Sequence, residues 1–206
     1  MKDRYIIAIT GQSGSGKSTF SRYIASRGYT VIDSDMVARE VHGDPDCLRR
    51  LTDYFGRDIL AYDLTLDRKK LSRKAFASPE ALQMLTDITH PYIIENILRK
   101  AENAFERGET MVFVDGAVII GHSFERYCDR FIVVVTDRDI RAGRIMARDS
   151  ISRQKAEERI DGQTPIEDML VKADYVVFNN TTPDRLSLQG DLILRQLEKE
   201  MGGKSH

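Results

Sequence analysis

The 206-residue sequence predicts one α/β domain, a doubly wound parallel five-stranded sheet interrupted by a helical insertion. Three observations lead there. Five short, almost continuously apolar runs recur at residues 5–9, 30–32, 111–114, 131–135 and 175–178, as strands covered by helices on both faces require. Helical patterns separate most of them, so the chain reads β-α-β with parallel pairing. Between Ile32 and Met111, however, about eighty residues carry only helical patterns, at 47–55, 68–76, 79–88 and 92–107. An excursion from the carboxyl edge of a sheet is a natural place for a second substrate. The expected division is a core of 1–43, 109–136 and 173–201, an insertion of 44–108 and a lid of 137–172.

Composition sets the outer bounds. With 31 Lys and Arg against 32 Asp and Glu, the formal net charge is -1, so no global basic field for nucleic acid exists. A chain of this length buries roughly 70% of its unfolded surface. The longest apolar runs are far too short to span a membrane. The N-terminal apolar run reads as a strand rather than a signal peptide. Cys47 and Cys128 stand far apart without a C-x-x-C, which argues for a reducing cytoplasm, packing roles and no cysteine metal site. The polar tail 202–206 reads as frayed.

The first run leads into Gly11-Gln12-Ser13-Gly14-Ser15-Gly16-Lys17-Ser18-Thr19, and an amphipathic stretch follows. Gly11, Gly16, Lys17 and Ser18 fit G-x-x-x-x-G-K-[ST], the P-loop, in its required strand-before, helix-after context. Glycines let successive backbone N–H groups curl onto phosphate oxygens. Lys17 reaches the β- and γ-phosphates of a nucleoside triphosphate, and the Ser18 hydroxyl is placed to ligate Mg²⁺.

The second run ends in Asp33-Ser34-Asp35. The expected topology sets this edge beside the P-loop, where one carboxylate accepts a substrate proton and the other holds a Mg²⁺-bound water. The competing reading is a helix N-cap, from Asp35 or from Asp33. The third run closes on Val112-Phe113-Val114-Asp115, the Walker-B pattern whose aspartate orients Mg²⁺, often through water. Beyond the fourth run come Arg138, Arg141, Arg144, Arg148, Arg153 and Arg159. Arg144 and Arg148 share a helix face, and guanidinium groups match the charge that spreads over a transferring phosphoryl group. A solvated face with Asp137, Asp139, Asp149 and Glu157 is the alternative. The P-loop favours a catalytic lid.

The segment Ile32-Asp33-Ser34-Asp35-Met36-Val37-Ala38-Arg39-Glu40-Val41 resembles the I-D-A-D-x-x-A-R-x-V segment of the dephospho-coenzyme A kinase family. The likeness continues in order through Tyr54-Phe55-Gly56, Leu66-Asp67-Arg68, Ala75-Phe76, His90-Pro91, the lid with Gln163, and Ala173 to Asn179, nearly the whole chain. It implies a P-loop kinase fold. It further implies ATP- and Mg²⁺-dependent phosphorylation of the ribose 3′-hydroxyl of dephospho-coenzyme A. In that resemblance Asp35 is the general base, and Asp33 and Asp115 belong to the Mg²⁺ network near the acceptor. Arg39 and His90 lie on the acceptor side, Arg144 and Arg148 form the lid, and Asn179 borders adenine. Charge, the short apolar runs and cysteine usage, rather than the resemblance, carry the expectation of a cytoplasmic protein with no nucleic-acid or membrane partner; a monomer or weak homo-oligomer is expected.

The sequence also departs from the family. Gly11-Gln12-Ser13 replaces Gly-Gly-Ile, and Ala117 to Gly121 replaces Pro-Leu-Leu-Phe-Glu, losing the proline and the acid. Thr181 stands where a glycine is usual. Another nucleoside or small-molecule kinase, and a non-catalytic ATP-binding paralogue, remain the rival readings.

Overall fold

The computed structural model describes residues 4–116, 119–121 and 123–201. The tail 202–206, and Ala117 and Val118 at the start of the divergent stretch, lie outside the described residues. Clustering of backbone contacts divides the chain into two compact units, one running to Ile32 and resuming at Ala101, the other spanning Asp33–Lys100.

The first unit holds a five-stranded sheet made of β1 (Tyr5–Thr10), β2 (Thr30–Asp33, whose last residue opens the second unit), β3 (Met111–Asp115), β4 (Arg130–Val135) and β5 (Tyr175–Phe178). The strand order is β2-β3-β1-β4-β5, and β1 pairs in parallel with both β3 and β4. Being flanked on both sides explains why five of the six residues of β1 are buried. Register places Ile9 beside Asp115 and Thr10 beside Val133, so the carboxyl ends of three strands meet where β1 runs out. The edge strand β2 lies beside β3, one strand further from the P-loop than the sequence alone suggests.

Helix α1 (Lys17–Ser26) follows the loop and buries Phe20 and Ile24, one turn apart on one face. Helix α9 (Pro183–Glu200) closes over them with Leu186, Ile193, Leu194 and Leu197, joining Ile7, Ile9, Phe113, Ile132 and Val134 in one core. Each such side chain, fully buried, contributes roughly 1.5–3 kcal/mol. Close approach depends on Gly190, where a Cβ would meet Tyr23 Cδ1 at 2.7 Å and Phe20 Cε2 at 3.3 Å. Helices α6 (Arg138–Asp149) and α7 (Arg153–Asp161) share a small core of Ala142, Ile145, Ala156 and Ile160. Helix α8 (Ile166–Lys172) leads from them into β5.

The second unit is helical: α2 (Ser34–Val41), α3 (Pro45–Phe55), α4 (Arg68–Ala75) and most of α5 (Pro79–Glu106), which ends in the first unit. Three of these helices start on an aspartate N-cap, Asp33, Asp44 or Asp67, whose Oδ1 accepts two amides at 2.9–3.1 Å. Val37, Val41, Cys47, Leu51, Phe55, Ile59, Leu71 and Ile88 are buried here.

The patterns at 79–88 and 92–107 form one helix rather than two, because α5 runs through Pro91. Proline removes an i→i−4 hydrogen bond and costs a helix interior about 3 kcal/mol. Burial of Ile88, Ile97, Ala101 and Ala104 along the same helix offsets that cost. Among the described residues no helix is long and apolar enough to cross a membrane.

Candidate active site

The P-loop is held open by its glycines and anchored by the lid. Gly14 (φ +79) and Gly16 (φ +88) take left-handed backbone that glycine adopts without penalty. A Cβ at Gly14 would meet the Arg141 carbonyl oxygen at 2.8 Å, and one at Gly16 would strike the Asn179 side-chain amide. Gly16 caps α1 without any side-chain hydrogen bond, and the first turn of α1 carries no acid. Among the described residues, no hydrogen bond occupies the Gly14 or Gly16 amide. Those N–H groups and the positive end of α1 therefore form an anion-binding concavity.

One carbonyl fixes the loop. Ser15 O accepts from Thr136 Oγ1 at 2.8 Å, Asn179 Nδ2 at 2.8 Å and Arg144 Nη1 at 3.3 Å. Arg144 also donates to Gly14 O at 3.2 Å and Asn179 O at 3.0 Å. The structure thus gathers Arg144 and Asn179 behind the loop, where both spend their donors on backbone carbonyls.

Lys17 Nζ makes an ion pair with Asp115 at the end of β3, with side chains only 14% and 7% exposed. The charge read as phosphate-binding and the charge read as Walker-B aspartate are therefore partners. Ser18 and Thr19 are exposed in the first turn of α1. Arg148 is more exposed: Nε and Nη2 each donate to Asp149 at 2.8 Å, and Nη2 lies 3.4 Å from Ser13 Oγ. Its guanidinium, then Arg159, holds the Asp149 carboxyl down at about 2, so the pair stays charged at any ordinary pH.

In the second unit, Asp33 Oδ1 is the N-cap of α2, accepting from Asp35 N and Met36 N. The carboxylate of Asp35, exposed in the first turn, accepts no hydrogen bond among the described residues. Arg39 is exposed on α2, and its carbonyl takes Arg68 Nη2 at 3.3 Å. His90 is half-buried within α5.

Two sets of residues escaped sequence reading as site residues. Arg141 is 6% exposed and donates to Ser13 O at 3.0 Å, to Gln12 Oε1 and to Gln163 Oε1 at 3.0 Å. Its place three residues before Arg144, on the same helix face, was the available signal. On α4, Lys70 and Lys74 pair with Asp67 and Asp58, whereas Arg68, Lys69 and Arg73, with Ser72, border a shallow, open surface depression.

A family model described as dephospho-CoA kinase matches residues 5–184. A dephospho-CoA kinase of Listeria innocua is 35% identical over 199 residues, 96% of this chain and 98% of that protein. One of Corynebacterium glutamicum is 35% identical over 193 residues, 93% of this chain and 96% of its own length. Among solved structures, a Thermus thermophilus protein superposes with a TM-score of 0.80 at 28% identity, covering 95% of this chain and 99% of its own. The dephospho-CoA kinase of Campylobacter jejuni gives 0.64 at 26% identity, covering 95% and 98%. With a P-loop sequence at the end of the first strand of a five-stranded sheet, this chain belongs to the dephospho-CoA kinase family.

Proposed function

We propose that this chain transfers the γ-phosphoryl group of ATP to the ribose 3′-hydroxyl of dephospho-coenzyme A, giving coenzyme A and ADP. Family membership across residues 5–184 is the observation that carries the acceptor. The loop geometry supports the donor: two amides with no hydrogen-bond partner among the described residues, glycines whose Cβ would collide, and a helix that opens without an acid suit a triphosphate.

Magnesium fits the donor set in a limited way. Among the described residues no three His, Cys, Asp or Glu side chains cluster to hold a metal. Mg²⁺ keeps several waters and leans on substrate phosphates, so Ser18, with Asp115 through water, would be the contribution of the unit that carries the P-loop. Bound there, the ion supplies neutralisation of phosphate charge.

The residues then divide the work. Gly11, Ser13, Gly14, Ser15, Gly16 and Thr19 shape the cradle. Lys17 turns from Asp115 to the β- and γ-phosphates. Arg144 sets the loop from behind, and Arg148 faces the transferring group from the lid. Asn179 borders the adenine while bracing Ser15. Arg39 and His90 hold the acceptor, and the cationic surface of α4 suits a phosphate-bearing one. Asp35 takes the proton of the 3′-hydroxyl on a carboxylate oxygen. The assignment to Asp35 is supported by the cap, which occupies Asp33 Oδ1 but leaves Asp35 uncommitted. Such a reaction belongs in the cytoplasm.

A coupled ADP-release assay with ATP and dephospho-coenzyme A tests the proposal, with nucleosides as competing acceptors. Turnover on a nucleoside but not on dephospho-coenzyme A would sink it. Tight ATP binding without turnover on any acceptor would make the chain a non-catalytic nucleotide sensor.

A further inference from the structure

We infer that Gln12 is a positioning residue, one half of a clasp that ties the lid to the tip of the P-loop and so presets the loop for the triphosphate. The inference rests on the reading that this loop binds ATP. Gln12 is 8% exposed, although it occupies a variable position of the motif, where the phosphate chemistry asks nothing of the side chain. Both ends of its amide are used. Nε2 donates to Thr164 O at 2.8 Å, and Oε1 accepts from Arg141 Nη1.

The same guanidinium continues the clasp. Arg141 Nε donates to Ser13 O at 3.0 Å, and Nη2 donates to Gln163 Oε1 at 3.0 Å. Gln163 Oε1 in turn accepts from the backbone amide of Ser13 at 3.1 Å. Two consecutive loop residues, Gln12 and Ser13, are thereby bound to Gln163 and Thr164, the turn between α7 and α8, with Arg141 as the shared node. All members lie in one compact unit.

Burial makes the arrangement consequential. A planar donor fork with three partners cannot lose one without leaving a desolvated group unpaired, so the clasp holds or opens as a unit. While it holds, the Ser13 peptide cannot swing, and the loop does not have to be ordered at the expense of nucleotide affinity. Opening it frees both the loop tip and the α7–α8 turn. The lid arginines on α6 are carried on the element that contains Arg141, so loop shape and lid position are linked through this side chain.

Gln12→Met keeps length and apolar stem but removes both hydrogen bonds. Two lost hydrogen bonds of ordinary strength correspond to about a tenfold effect. The expected result is a rise of about tenfold in KM for ATP, with KM for the acceptor unchanged and kcat changed less. Hydrogen–deuterium exchange of the nucleotide-free protein should show faster exchange at the Ser13 amide and in the 163–164 turn. Gln12→Glu retains acceptance from Arg141 but sets a carboxylate oxygen against Thr164 O. It should recover Ser13 protection only in part. An Arg141→Lys variant combined with Gln12→Met should cost less than the two single changes added, because both open one clasp.

Unchanged Ser13 exchange in Gln12→Met overturns the inference, as does additive behaviour in the double variant. Lowered thermal stability with an unaltered KM for ATP would reduce Gln12 to a packing residue and overturns it equally. The exchange measurement needs no nucleotide, so it judges the clasp even if the chain proved not to use ATP.

Discussion

On the proposed reading Lys17 carries two duties, and a pair of substitutions separates them. Lys17→Ala removes the point charge between the β- and γ-phosphates, and no turnover should remain. It also strands Asp115, whose side chain is 7% exposed. Losing one partner of a buried pair costs on the order of 3 kcal/mol, so this variant should melt well below the wild type. Adding Asp115→Asn should return most of the lost stability and none of the activity; thermal melts and the ADP assay read the two separately. The aspartates at the start of α2 separate in the same manner. Asp35→Asn should fold and bind ATP while kcat falls by about 10²–10⁴, the usual contribution of a positioned base. Asp33→Ala should instead lose roughly 1 kcal/mol of stability through the missing cap, which Asp33→Asn retains. If Asp35→Asn turns over normally and Asp33→Asn does not, the base is Asp33.

Elements show where sequence reading succeeds and where it stops. The strands were legible because runs such as Phe131–Val135 are apolar throughout, and a buried parallel strand allows little else. The P-loop was legible because phosphate binding dictates residue types at fixed spacing. The continuity of α5 through Pro91 was not, since proline's local penalty is visible in sequence and the burial that outweighs it is not. Spacing marked Arg144 and Arg148 as neighbours but not their partners: loop carbonyls and Thr136 for one, the adjacent Asp149 and distant Ser13 for the other. The capping role of Asp33 stood among the alternatives, and only geometry selects it. Packing reverses propensity in α9 as well. Gly190→Ala should favour the helix by about 1 kcal/mol on propensity alone. Yet its Cβ would press on the Tyr23 ring, which Asp191 holds by a 2.6 Å hydrogen bond, so overpacking of about 1–3 kcal/mol should win. A lower melting temperature is the expected outcome; a higher one would mean that α9 shifts freely.

For the whole molecule, the division into two units separates most candidate residues by the substrate proposed for them, with Asp33 of the helical unit, read as part of the Mg²⁺ network, as the exception. The loop, Asp115, the lid arginines and Asn179 belong to the unit with the sheet, whereas Arg39 and His90 belong to the helical one. His90→Ala should therefore raise KM for dephospho-coenzyme A several-fold and leave ATP affinity, measured by calorimetry, where it was. An equal loss in both would undo the division. The cysteines give a probe of each unit's integrity. Burial pushes the Cys47 thiol up to about 11 and the Cys128 thiol up to about 12. Only thiolate alkylates readily, so iodoacetamide at pH 8 should label neither in the native protein and both in denaturant. Labelling of Cys47 alone would report that the helical unit opens by itself.

The central place of β1 also has a temporal side. The strand and its loop are made well before their sheet partners, since β3 begins at Met111 and β4 at Arg130. The groups that grip Ser15 O come later still, at Thr136, Arg144 and Asn179. Until β3 has been made the nascent chain therefore carries an apolar strand with both edges unpaired, the state in which chains associate wrongly. Contacts this distant in sequence also slow refolding. The motif of the nucleotide cradle is made long before the residues that complete it, and a chain arrested before residue 136 has the motif without the site.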